Sequence, residues 1–357
     1  MRALSKRRPD RRRPAPTGSW IEPVPPPGSR PREGGTGSSS EPVGRGAGRR
    51  RGLSAVEMLV VLVLVGLTML FLLMAVPRGR EQARLAACQK NLSQIGLALS
   101  LYDQLQRSLP TVGRLAPVDE KRADLPPGPL RALLETLGLQ DFMDLSPNAP
   151  APRATGPVPG EVPVPGFVCA SDPGATAGRF PAPISYRAAT GSDEHGDDGA
   201  FAPGRKLSLA QVEQGDGSSF TAGFSERLVG DGVDDHFADV NYAVVPGPLP
   251  RDGCSLIFLK NRRGAWRGDA GSSWRPAGYV STLYNHGLRP NGGLSCVAAD
   301  GGSAFQGASS GHVRGVNLLM LDGAVKLVLP SISPKVWEEF AGVRPPTGDA
   351  PGRTPAP

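Results

Sequence analysis

The sequence predicts an α+β fold in which one long N-terminal helix crosses lipid, then continues as the spine of a head and packs on an antiparallel β-sheet. Three observations carry this. Residues 53–76 are almost wholly apolar, with Glu57 as their one charge. From Leu85 to Tyr102, apolar residues recur at alternating steps of three and four. Two apolar runs, 316–321 and 324–329, flank Asp322-Gly323. Glycine (47) and proline (38) make an unusually large share of the 357 residues, and aromatics only 6%. Such a composition speaks for a loop-rich body and against a helical bundle or a cofactor-binding α/β enzyme.

Residues 1–52 read as a disordered basic leader. They hold 13 Lys/Arg and 4 Asp/Glu, a balance of +9, and little that is apolar. Burial therefore cannot offset the entropy of ordering them. A solvated cytoplasmic tail is the plain reading of these charges; an arm that touches anionic lipid or nucleic acid is the alternative. Residues 53–357 carry 27 basic and 29 acidic groups, so the net charge of +7 belongs to the leader. A nucleic-acid-binding body would need a basic face, and the composition gives no sign of one.

Residues 53–76 read as a transmembrane helix. At 1.5 Å per residue, 24 residues reach roughly 36 Å, enough for a hydrocarbon core of about 30 Å. The 13 Leu, Val and Phe residues between Leu59 and Val76 favour insertion by about 4–8 kcal/mol. One acid near the helix end cannot cancel that. A cleaved secretory signal would need a shorter apolar core and small residues at its cut, whereas Pro77 follows Val76 directly. Four basic residues lie close to the helix on each side, and the other nine in the leader tip the orientation toward N-terminus inside.

Residues 77–109 read as the spine. Pro77 and Gly79 are expected to interrupt and kink the helix. Beyond them Leu85, Cys88, Leu92, Ile95, Leu99 and Tyr102 form one apolar stripe. Residues 110–343 read as a loop-rich β head, with short strands near 184–190 and 219–225 and a closing hairpin. An Asp-Gly pair between apolar runs is a strong hairpin signal, and both turn residues are expected at positive φ. A short helix or turn over 332–343 should pack Trp337 and Phe340. Residues 344–357 read as a disordered Pro/Gly tail.

Two resemblances follow. The junction Arg49-Arg50-Arg51-Gly52-Leu53-Ser54-Ala55-Val56-Glu57 resembles the prepilin cleavage site of type IV pilins and type II secretion pseudopilins. That resemblance implies a membrane prepilin peptidase that cuts after Gly52 and methylates the amine of Leu53, with Glu57 as mature residue five. A glutamate in an apolar helix is costly unless paired. Its partner would be the freed amine of a neighbouring subunit; the alternative is an acid that snorkels to the interface.

Residues 82–99, with Cys88 and Asn91-Leu92…Ile95-Gly96-Leu97-Ala98, resemble a large planctomycete family of pilin-like proteins of unknown function. Further segments resemble that family in order. They are Leu133 to Phe142, Phe167-Val168-Cys169-Ala170-Ser171-Asp172, Ser185-Tyr186 to Gly191, Asp216-Gly217 to Glu226, Tyr284-Asn285-His286 to Cys296, and His312 followed after nine residues by Asp322-Gly323. By this resemblance Cys88, Cys169, Asp172, His286, Cys296, His312, Asp322 and Gly323 are structural signature residues.

No H-E-x-x-H or C-x-x-C is present, and no enzymatic chemistry is visible. His312 is expected to bond the loop entering the hairpin, and Asp322 to serve its turn. A surface hydrolase using His286 or His312 is the enzymatic alternative. Two acidic loops, one with Asp193, Asp197 and Asp198 and the other with Asp231, Asp234 and Asp235, read as solvated, with calcium as the alternative ligand; no other cofactor is expected. Four cysteines allow three pairings. Cys254–Cys296 is the first choice, and Cys88 on the stripe reads as a buried thiol.

The expected function is a single-pass, pilin-like or pseudopilin-like subunit of the inner membrane, its N-terminus cytoplasmic and its head periplasmic or extracellular. Its partners would be the bilayer, prepilin peptidase and like or related pilin-type subunits. A non-polymerising single-span protein that displays a binding head is the alternative.

Overall fold

The computed structural model describes residues 52, 54–120, 125–139, 162–249, 254 and 266–344. The leader up to Arg51, Leu53, Phe142 and the tail beyond Arg344 lie outside the described residues. The chain divides into two compact units, residues 1–61 and 62–357.

Helix α1 spans Ala55–Gln106. Ser54 and Glu57 close its N-terminus reciprocally: the Ser54 amide donates to Glu57 Oε2 (2.8 Å) and the Glu57 amide to Ser54 Oγ (3.2 Å). The expected interruption at Pro77 does not occur, and the helix runs through it. Proline removes one backbone donor, and more than twenty helical residues on either side hold the turn in register. Cys88, Leu92, Ile95, Ala98 and Leu99 are buried, so the stripe faces the head core. At Gly96 a Cβ would lie 2.9 Å from Leu319 Cδ1 and 3.2 Å from Gly323 Cα, so only glycine lets the helix approach so closely. The helix ends where the Arg107 amide bonds Asp103 O (2.8 Å), with Arg107 at φ +54°.

The head follows as α2 (Pro129–Ala132), a 3₁₀ turn (Pro165–Phe167), α3 (Pro173–Thr176), β1 (Tyr186–Ala189), α4 (Leu209–Gln214), β2 (Ala222–Glu226), β3 (Tyr242–Val245), β4 (Trp266–Arg267), β5 (Leu283–Tyr284), β6 (Ser295–Ala298), β7 (Ala304–Phe305), β8 (Val316–Met320), β9 (Val325–Val328) and α5 (Pro334–Glu339). One sheet has the order β5-β1-β2-β8-β9 and the other β4-β3-β6-β7. The sheets are mixed rather than purely antiparallel, because β1 pairs with β5, and β3 with β6, in parallel. Long crossovers make these pairs, and local periodicity carries no trace of them.

The five-stranded sheet is covered on both faces. Leu319, Phe224 and Ala188 join the core cluster that contains α1, whereas Leu318, Met320, Tyr284 and Ala189 pack with Trp337 of α5. Alternation along β8 sends successive residues to opposite faces. A register shift between Ala222 and Phe224 lets two even-numbered residues do the same. Burial on both sides explains why β8 reads as an apolar run broken only by Asn317.

The β8–β9 turn is one residue longer than expected. The Gly323 amide bonds Met320 O (3.0 Å) and the Met320 amide bonds Ala324 O (2.8 Å), with Gly323 at φ +88°. Asp322 is not at positive φ; its Oδ1 instead accepts from the Ala324 amide (2.9 Å). A three-residue loop with one left-handed glycine fits this pattern.

Candidate functional site

The first functional feature is the front of α1. From Val56 to Leu73 its large apolar side chains stand exposed, Leu62 at 65% and Phe71 at 67%. Over 18 residues the mean hydropathy is 3.0, and the helix is long and apolar enough to cross a membrane. Gly52 is exposed, with open space where a Cβ would stand. Glu57 is engaged within its own chain by the Ser54 cap.

The second feature lies where α1 meets the head. Cys88 of α1 is joined to Cys169 by a disulfide, which corrects the expectation of a free buried thiol. The stripe that buries Cys88 also aims it at the segment after the 3₁₀ turn. The pair closes a long loop, since 81 residues separate the two positions. His312 stands beside it, with Nε2 3.4 Å from Cys169 Sγ.

His312 bonds the loop entering the hairpin through its backbone alone, its amide donating to Ser310 Oγ (3.1 Å) and its carbonyl accepting from the Gly315 amide (3.4 Å), while its ring turns elsewhere. Its Nδ1 donates to Glu81 Oε1 of α1 (2.7 Å), and its Nε2 lies 3.4 Å from Glu226 Oε1 of β2. Two carboxylates outcompete a loop carbonyl for a histidine that can carry charge. Burial pulls the imidazole pKa down, but hydrogen bonds and charge from Glu226 and Glu81 outweigh it and raise the group above its ordinary value. Asn317 locks Glu226 in turn: its amide N–H meets Oε2 (2.9 Å) and its Nδ2 meets Oε1 (3.0 Å), while Gln89 Nε2 donates to Asn317 Oδ1 (3.1 Å). Sequence reasoning missed Glu81 and the role of Glu226. Glu81 sits seven residues before Cys88, on the same helical face, and that spacing was the available signal.

Three further signature residues are buried knots. Asp172 caps α3 by accepting from the Gly174 and Ala175 amides (3.0 and 3.2 Å), and its other oxygen accepts from Ser185 Oγ (2.7 Å) and the Val229 amide (3.1 Å). Burial raises its carboxyl above the ordinary range, and these hydrogen bonds oppose the rise. His286 stacks on Trp337 at 3.8 Å. The Trp337 carbonyl can only accept, so Nδ1 carries the proton (2.6 Å) and Nε2 accepts from the Tyr284 hydroxyl (3.0 Å). Burial drives His286 down to about 3, against the hydrogen bond to Trp337. Cys254 and Cys296 form a disulfide, the pair chosen first from the sequence.

The acidic loops are tied by their own backbone and neighbouring side chains. Asp193 accepts from the His195 and Gly196 amides, and Asp198 from the Ser192 amide and hydroxyl. Asp231 accepts from Val233 N and Asn241 Nδ2, and Asp234 from Gly268 N. Asp235 sits at φ +57°, and Asp197 is exposed. Among the described residues, the group whose ligand atoms converge is the other one: Cys88, Cys169, Glu226 and His312.

Comparison with curated proteins and with solved structures gives no match. A family model described as "Protein of unknown function (DUF1559)" matches residues 77–335, well over half of the chain, from the spine part of α1 into α5. The chain therefore belongs to this family, the planctomycete-type pilin-like proteins.

Proposed function

We propose that the protein is a pilin-like structural subunit, cut after Gly52 by a prepilin peptidase, methylated on Leu53 and assembled through α1, with its head outside the inner membrane. The observation that carries this reading is the form of α1. Its front half exposes a continuous apolar surface, and the same unbroken helix supplies buried residues of the head core. Such a rod can leave lipid only if like helices replace the lipid around it. Glu57 would set the register by capturing a neighbour's amine. Two disulfides in the head fit an oxidising compartment.

Intact-mass analysis of protein from its native membrane tests the processing. The expected result is a chain beginning at N-methylated Leu53. A chain that keeps Arg49 to Gly52 would overturn the reading in favour of a simple single-span display protein. The Ser54–Glu57 cap favours that second reading, since it gives the carboxylate a partner within its own chain. Glu57→Ala separates the two. Under assembly, membrane insertion stays and crosslinked multimers fall by about tenfold or more, as expected when a pairing charge is removed in lipid. Under simple display, neither changes.

A further inference from the structure

We propose that the Cys88, Cys169, His312 and Glu226 cluster is a thiol-dependent zinc site, of which the Cys88–Cys169 disulfide is the oxidised, metal-free form.

The donor set is two sulfurs, one imidazole nitrogen and one carboxylate oxygen, with all four ligand atoms within 4.8 Å of one another and all four residues buried. Four such donors suit tetrahedral Zn²⁺, whose bonds of about 2.0–2.3 Å hold ligand atoms roughly 3.3–3.8 Å apart. His312 Nε2 already lies 3.4 Å from both Cys169 Sγ and Glu226 Oε1. The sulfurs must part, which breaking their bond permits, and all four ligand atoms already lie within 4.8 Å of one another.

The surrounding shell is what distinguishes this cluster from a chance meeting of side chains. Glu81 accepts the Nδ1–H hydrogen bond of His312 and so turns Nε2 toward the sulfurs. A carboxylate that holds the far nitrogen of a histidine is the usual support for a metal-bound imidazole. Asn317 fixes both oxygens of Glu226, and Gln89 fixes Asn317. Every donor except the sulfurs therefore arrives already oriented. A structural disulfide alone has no need of a histidine and a carboxylate aimed at it.

The chemistry balances. A dithiol reductant delivers two electrons and two protons to the disulfide, giving two thiols, and itself becomes a disulfide. Zn²⁺ then replaces both thiol protons and any proton on His312 Nε2, and these pass to water.

The test uses the full chain in detergent, reduced with a phosphine, which becomes phosphine oxide, and titrated with Co²⁺ as the spectroscopic probe. The reduced chain is expected to bind about one Co²⁺ with the intense visible bands of a tetrahedral thiolate site, displaced by Zn²⁺. The oxidised chain should show none. His312→Ala and Glu226→Gln should each abolish the bands or weaken binding beyond the range of Glu81→Gln, which should weaken it about 10–100-fold. If reduction loosens the head, added Zn²⁺ should restore its thermal transition. Failure of the reduced chain to bind Co²⁺ or to be rescued by Zn²⁺ overturns the proposal. So do bands indifferent to His312→Ala, or bands that survive replacement of both Cys88 and Cys169 by serine.

Discussion

Asp172→Ala is expected to lower the unfolding free energy of the head by about 3–7 kcal/mol, with the denaturation midpoint falling and the slope unchanged. One carboxylate here serves four donors: the Gly174, Ala175 and Val229 amides and the Ser185 hydroxyl. Loss of the cap of α3 costs about 1 kcal/mol. The Val229 amide and the buried Ser185 hydroxyl would each lose a partner, at about 1–3 kcal/mol for each unsatisfied buried group. Alanine also removes the negative charge that opposes the effect of burial on Arg227, whose guanidinium burial brings down to about 10. Asn is the informative control. Its amide oxygen can keep the cap, but its NH₂ would face the Val229 N–H, so Asp172→Asn should fall between alanine and the native residue. Urea unfolding followed by the fluorescence of Trp266, Trp274 and Trp337 reads all three. A loss below about 1 kcal/mol for alanine would show that water replaces the carboxylate, and that the knot is not a structural keystone.

What the sequence made legible was local. The stripe from Leu85 to Tyr102 is a property of neighbouring turns, and the structure buries its Cys88, Leu92, Ile95 and Leu99. Gly323 was legible because a turn after an apolar run needs a left-handed residue. The close packing at Gly96 is visible only once β8 and β9 stand beside α1. The His312–Glu81 contact joins residues 231 positions apart. No period in the chain encodes it, and the nearer loop, which holds only the His312 backbone, offered itself first. Pro77 misled for a different reason. Propensity charges its full cost to an isolated helix, whereas here both flanks are already helical.

The largest pH effect should come from His286. Stability of the head is expected to fall by about 1.4 kcal/mol per pH unit as pH drops below the ordinary histidine range. The sign follows from the burial. Unfolded, His286 titrates near 6.5; folded, it titrates near 3. Between those values the unfolded chain takes up a proton that the folded chain refuses, so acid favours unfolding. At pH 7 both states are neutral and the term vanishes. The geometry explains the refusal: the ring is stacked on Trp337, Nδ1 is committed to the Trp337 carbonyl, and Nε2 faces the Tyr284 hydroxyl, with no carboxylate among these contacts. His312, held between Glu81 and Glu226, has the opposite shift. Carboxylates elsewhere also titrate in this window, so the measurement is a difference. Urea unfolding of native protein and of His286→Gln, from pH 7 to pH 4.5, should give two lines that converge as pH falls. Glutamine can donate to the Trp337 carbonyl but takes no proton, so its variant starts less stable and loses less on the way down. Parallel lines would mean that the buried ring reaches solvent, or that α5 moves aside to let it charge. The sheet face beneath Trp337 would then be an opening part of the head rather than a closed one.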